Sequence, residues 1–184
     1  CRPDTLAGAR HIAHMAVQPL TRAARANIPA KDDDSHTNKV WDDRRGAFLC
    51  NPIAADEGEI AVALVISSMT LVVVRGAESI AELALSGVTL STADDWLDAQ
   101  LAEFALKPAS SVAHPYDLPA AVATIDTYST EGLQGGLAAL SSWFALADHV
   151  LRKFAANNRG LTPGPSPVRC WPHHFDIATY VGLE

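Results

Sequence analysis

The segment 171–176, which reads Trp-Pro-His-His-Phe-Asp, holds the densest group of side chains that could do chemistry. Imidazole and carboxylate groups are ligands for zinc and iron, and a histidine beside a carboxylate can also move protons. In an extended strand His174 and Asp176 would share a face, and His173 would join them only if Pro172 makes a turn. This arrangement of residues predicts either a functional pocket or a tight corner in which the histidines form hydrogen bonds with the backbone.

A second polar segment, 32–38, reads Asp-Asp-Asp-Ser-His-Thr-Asn and leads into the first expected strand. Carboxylates next to a histidine can bind a metal ion or form an acid/base pair. If His36 begins the strand, His36 and Asn38 share one face of it. The alternative for this segment is a solvated acidic turn followed by a polar strand end.

Together the two segments predict one pocket for a small polar ligand or a divalent metal ion. The expected catalytic groups are His36, His174 and Asp176. The expected ligands of a zinc or iron ion are His36, His173, His174 and Asp176. We expect Asp34 and Asn38 to support these groups. The alternative is a non-catalytic interaction module, in which the same residues hold strand corners and an exposed apolar face meets a partner.

The first expected helix and the first residue supply weaker candidates. His11, Met15 and Gln18 follow each other at i, i+4 and i+7, and His14 lies four residues before Gln18, so one helix face is polar. That face could line a ligand cavity or lie along a solvent edge, and it lacks the glutamate of an HExxH zinc motif. Cys1 could act as a nucleophile with its own amine as base if it is a processed N-terminus.

The amino-acid composition narrows the classes of function that the protein can have. The 184 residues include 48% hydrophobic and 19% charged residues, which is typical of one globular domain. A net charge of −7 disfavours binding to nucleic acid or to anionic membranes, and no apolar run reaches the roughly 20 residues of a membrane helix. Cys1, Cys50 and Cys170 form no CxxC motif, so we expect a soluble protein in a reducing, cytoplasmic compartment.

Hydrophobic periodicity and turn signals predict the elements that position these residues. We expect strands at 35–41, 47–53, 59–74, 79–86, 168–171 and 175–181. We expect helices at 4–26, 91–107 and 131–157, the first with a break or kink at Pro19. Strands come early and helices late without βαβ alternation. The prediction is therefore an α+β fold with an antiparallel sheet of about five to six strands and helices packed on one face, in a single domain covering residues 1–184.

The segment 166–178 resembles the C-terminal signature SPV…W…FDLA of a bacterial family of uncharacterised proteins, a domain of unknown function. In this chain it reads Ser-Pro-Val-Arg-Cys-Trp-Pro-His-His-Phe-Asp-Ile-Ala. The likeness extends to segment 33–38, to Trp41, and to the long strand with its glycine turn and return strand. The resemblance implies one domain with a sheet flanked by helices, and it supplies no reaction. It also implies a Gly/Pro/Asp-rich continuation, which this chain lacks, and so leaves open a truncation at one or both ends.

Overall fold

Five helices organise the chain in the computed structural model, which describes residues 3–114 and 116–182. They are α1 (Pro3–Ala16), α2 (Gln18–Asn27), α3 (Leu90–Ala102), α4 (Ala120–Ala123) and α5 (Gln134–Asn157). The predicted break near Pro19 is confirmed, because this proline lies in the first turn of α2, where its missing N–H has no helical partner to lose. Thr89 caps α3 by accepting the amide of Thr92 at 3.1 Å.

The strands are antiparallel and confirm the α+β class. They are β1 (Lys39–Asp42), β2 (Ala47–Cys50), β3 (Ile53–Ala55), β4 (Gly58–Val65), β5 (Thr70–Arg75), β6 (Glu78–Ala84), β7 (Val88–Thr89), β8 (Thr127–Tyr128), β9 (Arg169–Trp171) and β10 (Asp176–Ala178). The main sheet has the order β10-β9-β1-β2-β4-β5-β6, and β3 pairs with β4. It therefore has eight strands rather than five to six, and β7 and β8 form a separate pair.

Most of the extra strands come from one wrong prediction and from short strands. Segment 59–74 is not one long strand but the hairpin of β4 and β5, in which Ala61 lies opposite Val74. Ser67 and Ser68 turn the chain, and Met69 takes the positive φ of 50° that completes the turn. The valine-rich runs on either side of the turn therefore pair with each other.

The core lies along the centre of this sheet and under α1, α2 and α5. Consecutive residues of β4 and β5 are buried, so both faces of the sheet are covered at its centre. The helix α2 packs on β2 and β4, and α5 packs on β1 and β10. The helix α1 crosses α5 at Gly136, where a Cβ atom would lie 2.5 Å from the carbonyl oxygen of Thr5. The buried apolar residues form one connected cluster.

The turn between β9 and β10 is the predicted histidine corner. Phe175 takes a φ of 52° there, and its amide donates to the carbonyl of Trp171 at 2.8 Å. The Phe175 ring is buried and lies 5.1 Å from the ring of Phe144 and 5.4 Å from the ring of His14. This anchor in the core fixes the corner and leaves His173 and His174 on its outer side.

A fully buried lysine stands in β1. Lys39 lies opposite Cys50 of β2 and opposite Cys170 of β9. Its Nζ donates to the carbonyl of Thr37. Burial away from water lowers the pKa of Lys39 from 10.5 to about 8. No carboxylate of the described chain forms an ion pair with it.

Candidate ligand-binding cleft

A cleft of about 630 Å³ opens where the loop before β1 faces the segment that enters β9. Its polar lining residues are Lys31, Asp33, Ser35, Asn38, Asn51, Ser166 and Arg169. Rings are added by Trp171, His173 and Tyr180. This volume falls within the roughly 300–1,000 Å³ of small-molecule sites. Both polar segments singled out in the sequence therefore contribute to one cleft.

Asn51 holds the loop wall of the cleft in place. Its Nδ2 lies 3.0 Å, 3.1 Å and 3.3 Å from the carbonyl oxygens of Ser35, His36 and Asn38. The amide of Lys31 donates to Nδ1 of His36 at 3.2 Å and closes the other end of the loop. One side chain thus fixes backbone that would otherwise bend freely, and the loop wall is ordered before any ligand arrives.

The opposite wall is a backbone clasp between two segments that flank the β9–β10 hairpin. The amide of Ser166 donates to the carbonyl of Tyr180 at 2.8 Å, and the amide of Tyr180 donates to Oγ of Ser166 at 2.9 Å. Oγ1 of Thr179 donates to the Ser166 carbonyl at 2.6 Å. The clasp brings the Tyr180 ring to 6.2 Å from the ring of Trp171. Two aromatic rings, inclined at 71° to each other, therefore stand beside the polar loop.

The cleft is positively charged although the chain as a whole is acidic. Lys31 and Arg169 line it, and neither forms an ion pair with any residue in 3–114 or 116–182. Asp33 is the carboxylate of the lining, and hydrogen bonds from Ser35 lower its pKa. Burial and then the neighbouring His174 lower the pKa of His173, so that its imidazole is neutral at pH 7.

Two buried polar atoms at the cleft wall lack partners. Asn38 is 3% exposed, and its Oδ1 accepts no hydrogen bond from the described residues. The Nε1–H of Trp171 likewise has no acceptor among them. An unsatisfied buried polar group costs about 1–3 kcal/mol, and such groups are rare in native structures. Their presence in the lining of one cleft is typical of a site that is completed by a ligand or by ordered water.

The predicted site residues divide between the cleft and its surroundings. His173 lines the cleft, and its ring centroid lies 4.0 Å from that of the exposed His174. His36 is buried, and the backbone of Lys31 occupies its Nδ1, so it supports the loop. Asp176 is exposed in β10 and lines a different groove, beside α5.

The two residues predicted to support the site also divide between the cleft and its surroundings. Asn38 lines the cleft as expected, whereas Asp34 is exposed and shapes the turn with a φ of 53°. The Asp34 carbonyl accepts from the amide and from Oγ1 of Thr37, both at 2.9 Å. Asp34 therefore acts through its backbone. Cys1 lies outside the described residues.

The four predicted metal ligands do not gather around one point. Within residues 3–114 and 116–182, no group of three or more His, Cys, Asp or Glu side chains is placed to hold a metal ion. One ring nitrogen of His36 accepts a hydrogen bond from the backbone of the loop, and Asp176 lines another groove. This geometry gives no support to a zinc or iron centre built from His36, His173, His174 and Asp176.

The polar face of the first helices is buried and supports the corner. Nε2 of His14 lies 2.9 Å from the carbonyl oxygen of Pro172, and Nε2 of Gln18 donates to the same oxygen at 3.0 Å. Arg10 donates to the carbonyl of His174 at 2.8 Å. The interpretation as a solvent edge is wrong for His14 and Gln18, because these side chains satisfy the carbonyl groups that the tight corner leaves without strand partners.

Several cleft residues were missed in the sequence. Arg169 and Trp171 were not predicted, although their spacing of two places both side chains on one face of β9. The same spacing continues to His173, which was predicted. Asn51 stands before Pro52 directly after a strand, which is a recognised turn signal. No short-range pattern points to Tyr180, which the clasp brings in from the far end of the chain.

A long helix face outside the cleft is apolar and exposed. Trp143, Leu146, Val150 and Phe154 of α5 are between 46% and 62% exposed. The large apolar side chains of this helix that are buried, those of Leu137, Leu140 and Phe144, lie in its first half. The exposed face borders a groove of about 650 Å³ that also contains Arg10 and Asp176.

Comparison with protein-family models, with curated proteins and with solved structures gave no significant match. The resemblance of segment 166–178 to uncharacterised bacterial proteins therefore stays a prediction. Of the helices in the described part of the chain, none combines the length and the apolar character needed to cross a membrane. The function proposed below rests on the geometry of the cleft.

Proposed function

We propose that the protein binds a small ligand carrying a carboxylate or phosphate group in the cleft between the Asn51-held loop and β9. The observation that carries the proposal is the pair Lys31 and Arg169, two cations without ion-pair partners among the described residues. They occur in a chain of net charge −7. An anion is repelled by most of this surface and attracted to the cleft, which favours its capture there.

The remaining lining residues suit the rest of such a ligand. Hydroxyl and amide groups of Ser35, Asn51 and Ser166 can bind polar substituents. The rings of Trp171 and Tyr180 each offer an apolar face. Arginine binds carboxylate and phosphate oxygens in a forked geometry, which gives direction as well as affinity. The arrangement supports recognition of an anionic molecule with a planar or apolar part.

Acid/base chemistry on the bound ligand would depend on His173. Its neutral imidazole lines the cleft, whereas the three residues predicted to be catalytic, His36, His174 and Asp176, are not among the lining residues. We therefore place binding first. An acid/base role would appear as a reaction of the bound ligand that His173→Gln abolishes without changing the affinity.

Calorimetric titration with inorganic phosphate and small mono- and dicarboxylates tests the proposal. Charge-assisted hydrogen bonds contribute about 1.5–3 kcal/mol, so Arg169→Gln and Lys31→Gln should each weaken binding by roughly tenfold or more. Arg159→Gln removes an exposed arginine that does not line the cleft and should leave the affinity unchanged. Equal affinities in the Arg169 and Arg159 variants, or no binding at about 10 mM, would overturn the proposal.

A second candidate function is self-association through the exposed face of α5. The spacing of Trp143, Leu146, Val150 and Phe154 is that of a helix seam, and the face is too apolar for an ordinary surface. Arg10 and Asp176 at its groove carry opposite charges, which can pair with each other across a two-fold axis. A second copy of this chain is therefore the partner that fits.

Sedimentation velocity tests this candidate function, because it measures whether the protein is a monomer or a larger assembly. Leu146→Glu should yield a monomer, whereas Leu161→Glu changes another exposed leucine, outside α5, and should not. A monomeric wild-type protein at high micromolar concentration would contradict it.

We also propose a reducing, cytoplasmic location. Cys50 and Cys170 are buried free thiols, and Lys39 stands between them in the sheet. Two strand spacings separate them by about 10 Å, which is too far for a disulfide. Fractionation of cells expressing the native gene product tests the location.

A further inference from the structure

A second cavity, of about 300 Å³, lies between α2, the start of α3 and the segment 114–128. It shares no lining residue with the cleft. Its polar lining residues include Gln18, Arg22, Asp94, His114, Tyr116 and Tyr128. Most of the remaining wall is apolar, as in small-ligand sites that use a few convergent polar groups for orientation.

The buried charges of this cavity cancel, and the further charge of its lining, the carboxylate of Asp117, is exposed. Nη2 of Arg22 donates to Oδ1 of Asp94, and both side chains are largely buried. Burial lowers the pKa of His114 and raises the pKa of Tyr128, so both are uncharged at pH 7. An ion that enters the buried part would meet charges that are already paired, so it would lose its hydration without gaining a buried counter-charge. The exposed carboxylate of Asp117 adds little attraction for a cation, because water screens exposed ion pairs. The cavity therefore favours a neutral ligand, in contrast to the basic cleft.

Several hydrogen-bonding atoms of the wall are free. Nε of Arg22 and Nδ1 of His114 are buried without partners in the described chain. Tyr128 is 1% exposed, and no hydrogen bond joins its hydroxyl to another described residue. A neutral imidazole and a phenol each donate or accept as needed, while the arginine Nε donates and the aspartate accepts. The wall therefore offers donors and acceptors close together.

Hydroxyl groups match such a wall because each of them both donates and accepts. The rings of His114 and Tyr116 stack at 28° with centroids 6.2 Å apart, and they supply a flat side for the carbon skeleton of a ring. The volume lies at the lower end of the range for ligand pockets, about 300 Å³, which admits one small ring and excludes larger molecules. We propose that this cavity is a second binding site, specific for a small neutral polyol of the size of a monosaccharide or a cyclitol.

Calorimetry and saturation-transfer NMR with glucose, galactose, ribose and myo-inositol test the site. At least one of these should bind, and Tyr128→Phe should weaken that binding by about three- to tenfold, the effect of one neutral hydrogen bond. Tyr180→Phe removes the same hydroxyl from the exposed tyrosine of the cleft and should not change it. The lost Tyr128 hydroxyl has no partner among the described residues, so the melting temperature of this variant should not fall.

A second variant, Asp94→Asn, distinguishes a loss of ligand contacts from a loss of protein structure. Asp94→Asn leaves the guanidinium of Arg22 without its counter-charge, so the cavity should lose polyol affinity and gain affinity for acetate. The proposal is overturned if no polyol binds the folded protein at about 50 mM, or if Tyr128→Phe and Asp94→Asn bind it as the wild type does. Arg169→Gln should weaken anion binding in the cleft and leave polyol binding unchanged, so failure of one site does not imply failure of the other.

Discussion

Replacement of Lys39 by methionine should stabilise the protein near neutral pH. Lys39 is fully buried and lies between Cys50 and Cys170. Among the described residues, its Nζ bonds only to the carbonyl of Thr37. Methionine has a similar length and needs no hydration. The substitution removes a buried charge, although it also leaves the Thr37 carbonyl without a donor, which costs about 1–3 kcal/mol.

The pKa of Lys39 sets the size and the pH range of the effect. Its folded-state value of about 8 lies below the unfolded value of 10.5. The unfolded chain therefore holds more protons between these two pH values, and the stability of the wild type rises with pH across that window. Below pH 8 the full penalty of the buried charge is present, and it amounts to about 3 kcal/mol, since a tenfold change in proton affinity is worth about 1.4 kcal/mol.

Urea unfolding of the wild type and of Lys39→Met between pH 7 and pH 10.5 measures this penalty. The difference in unfolding free energy between the two proteins should shift by about 3 kcal/mol in favour of the wild type as the pH rises. Other titrating groups cancel in that difference. Lys153→Met, at an exposed position of α5, should show no such shift. A difference for Lys39→Met that is independent of pH would refute the burial of a charged lysine.

Three further substitutions test the supports of the fold and the cleft. Gly136→Ala should destabilise the protein by about 1–3 kcal/mol, because the added Cβ meets α1, whereas Gly135→Ala has open space and should be neutral or gain up to about 1 kcal/mol in thermal unfolding. Asn51→Asp replaces a donor to three carbonyls with an acceptor, so it should lower stability by about 2 kcal/mol and weaken phosphate binding in calorimetry. Phe175→Ala should cost about 3–5 kcal/mol in urea unfolding, since the buried ring anchors the β9–β10 corner.

The fold class was predictable because periodicity and turn residues agree along most of the chain. The break at Pro19, the hairpin of β1 and β2, the return strand β6 and the long helix α5 all follow from local patterns. The hairpin of β4 and β5 was missed because both faces of these strands are buried. Such strands show a continuous apolar run rather than alternation, so only Ser67 and Ser68 marked the turn.

The sequence predicted which segments line the cleft, but it did not predict which of their side chains give the cleft its chemistry. Polar stretches between apolar elements pointed to both walls of the cleft, and His173 and Asn38 line it. Which of two adjacent histidines faces inward depends on how Phe175 anchors the corner, and that is a tertiary contact. Lys31 and Arg169 lie far apart in sequence, so their common role becomes visible only in the fold.

The cleft and the polyol cavity meet at the β9–β10 corner. A substitution at this corner can therefore affect both sites at once, without showing that they are coupled. Gln18 donates to the Pro172 carbonyl at 3.0 Å and accepts from the Tyr116 hydroxyl at 2.8 Å. The Tyr116 ring lies 5.5 Å from that of His173, which belongs to the cleft. A Gln18 variant would leave polar groups of both walls without partners, so loss of both ligands would reflect a shared support. Coupling between the sites requires more, namely that polyol binding changes the affinity for the anion, and by the same factor in reverse, in the unsubstituted protein.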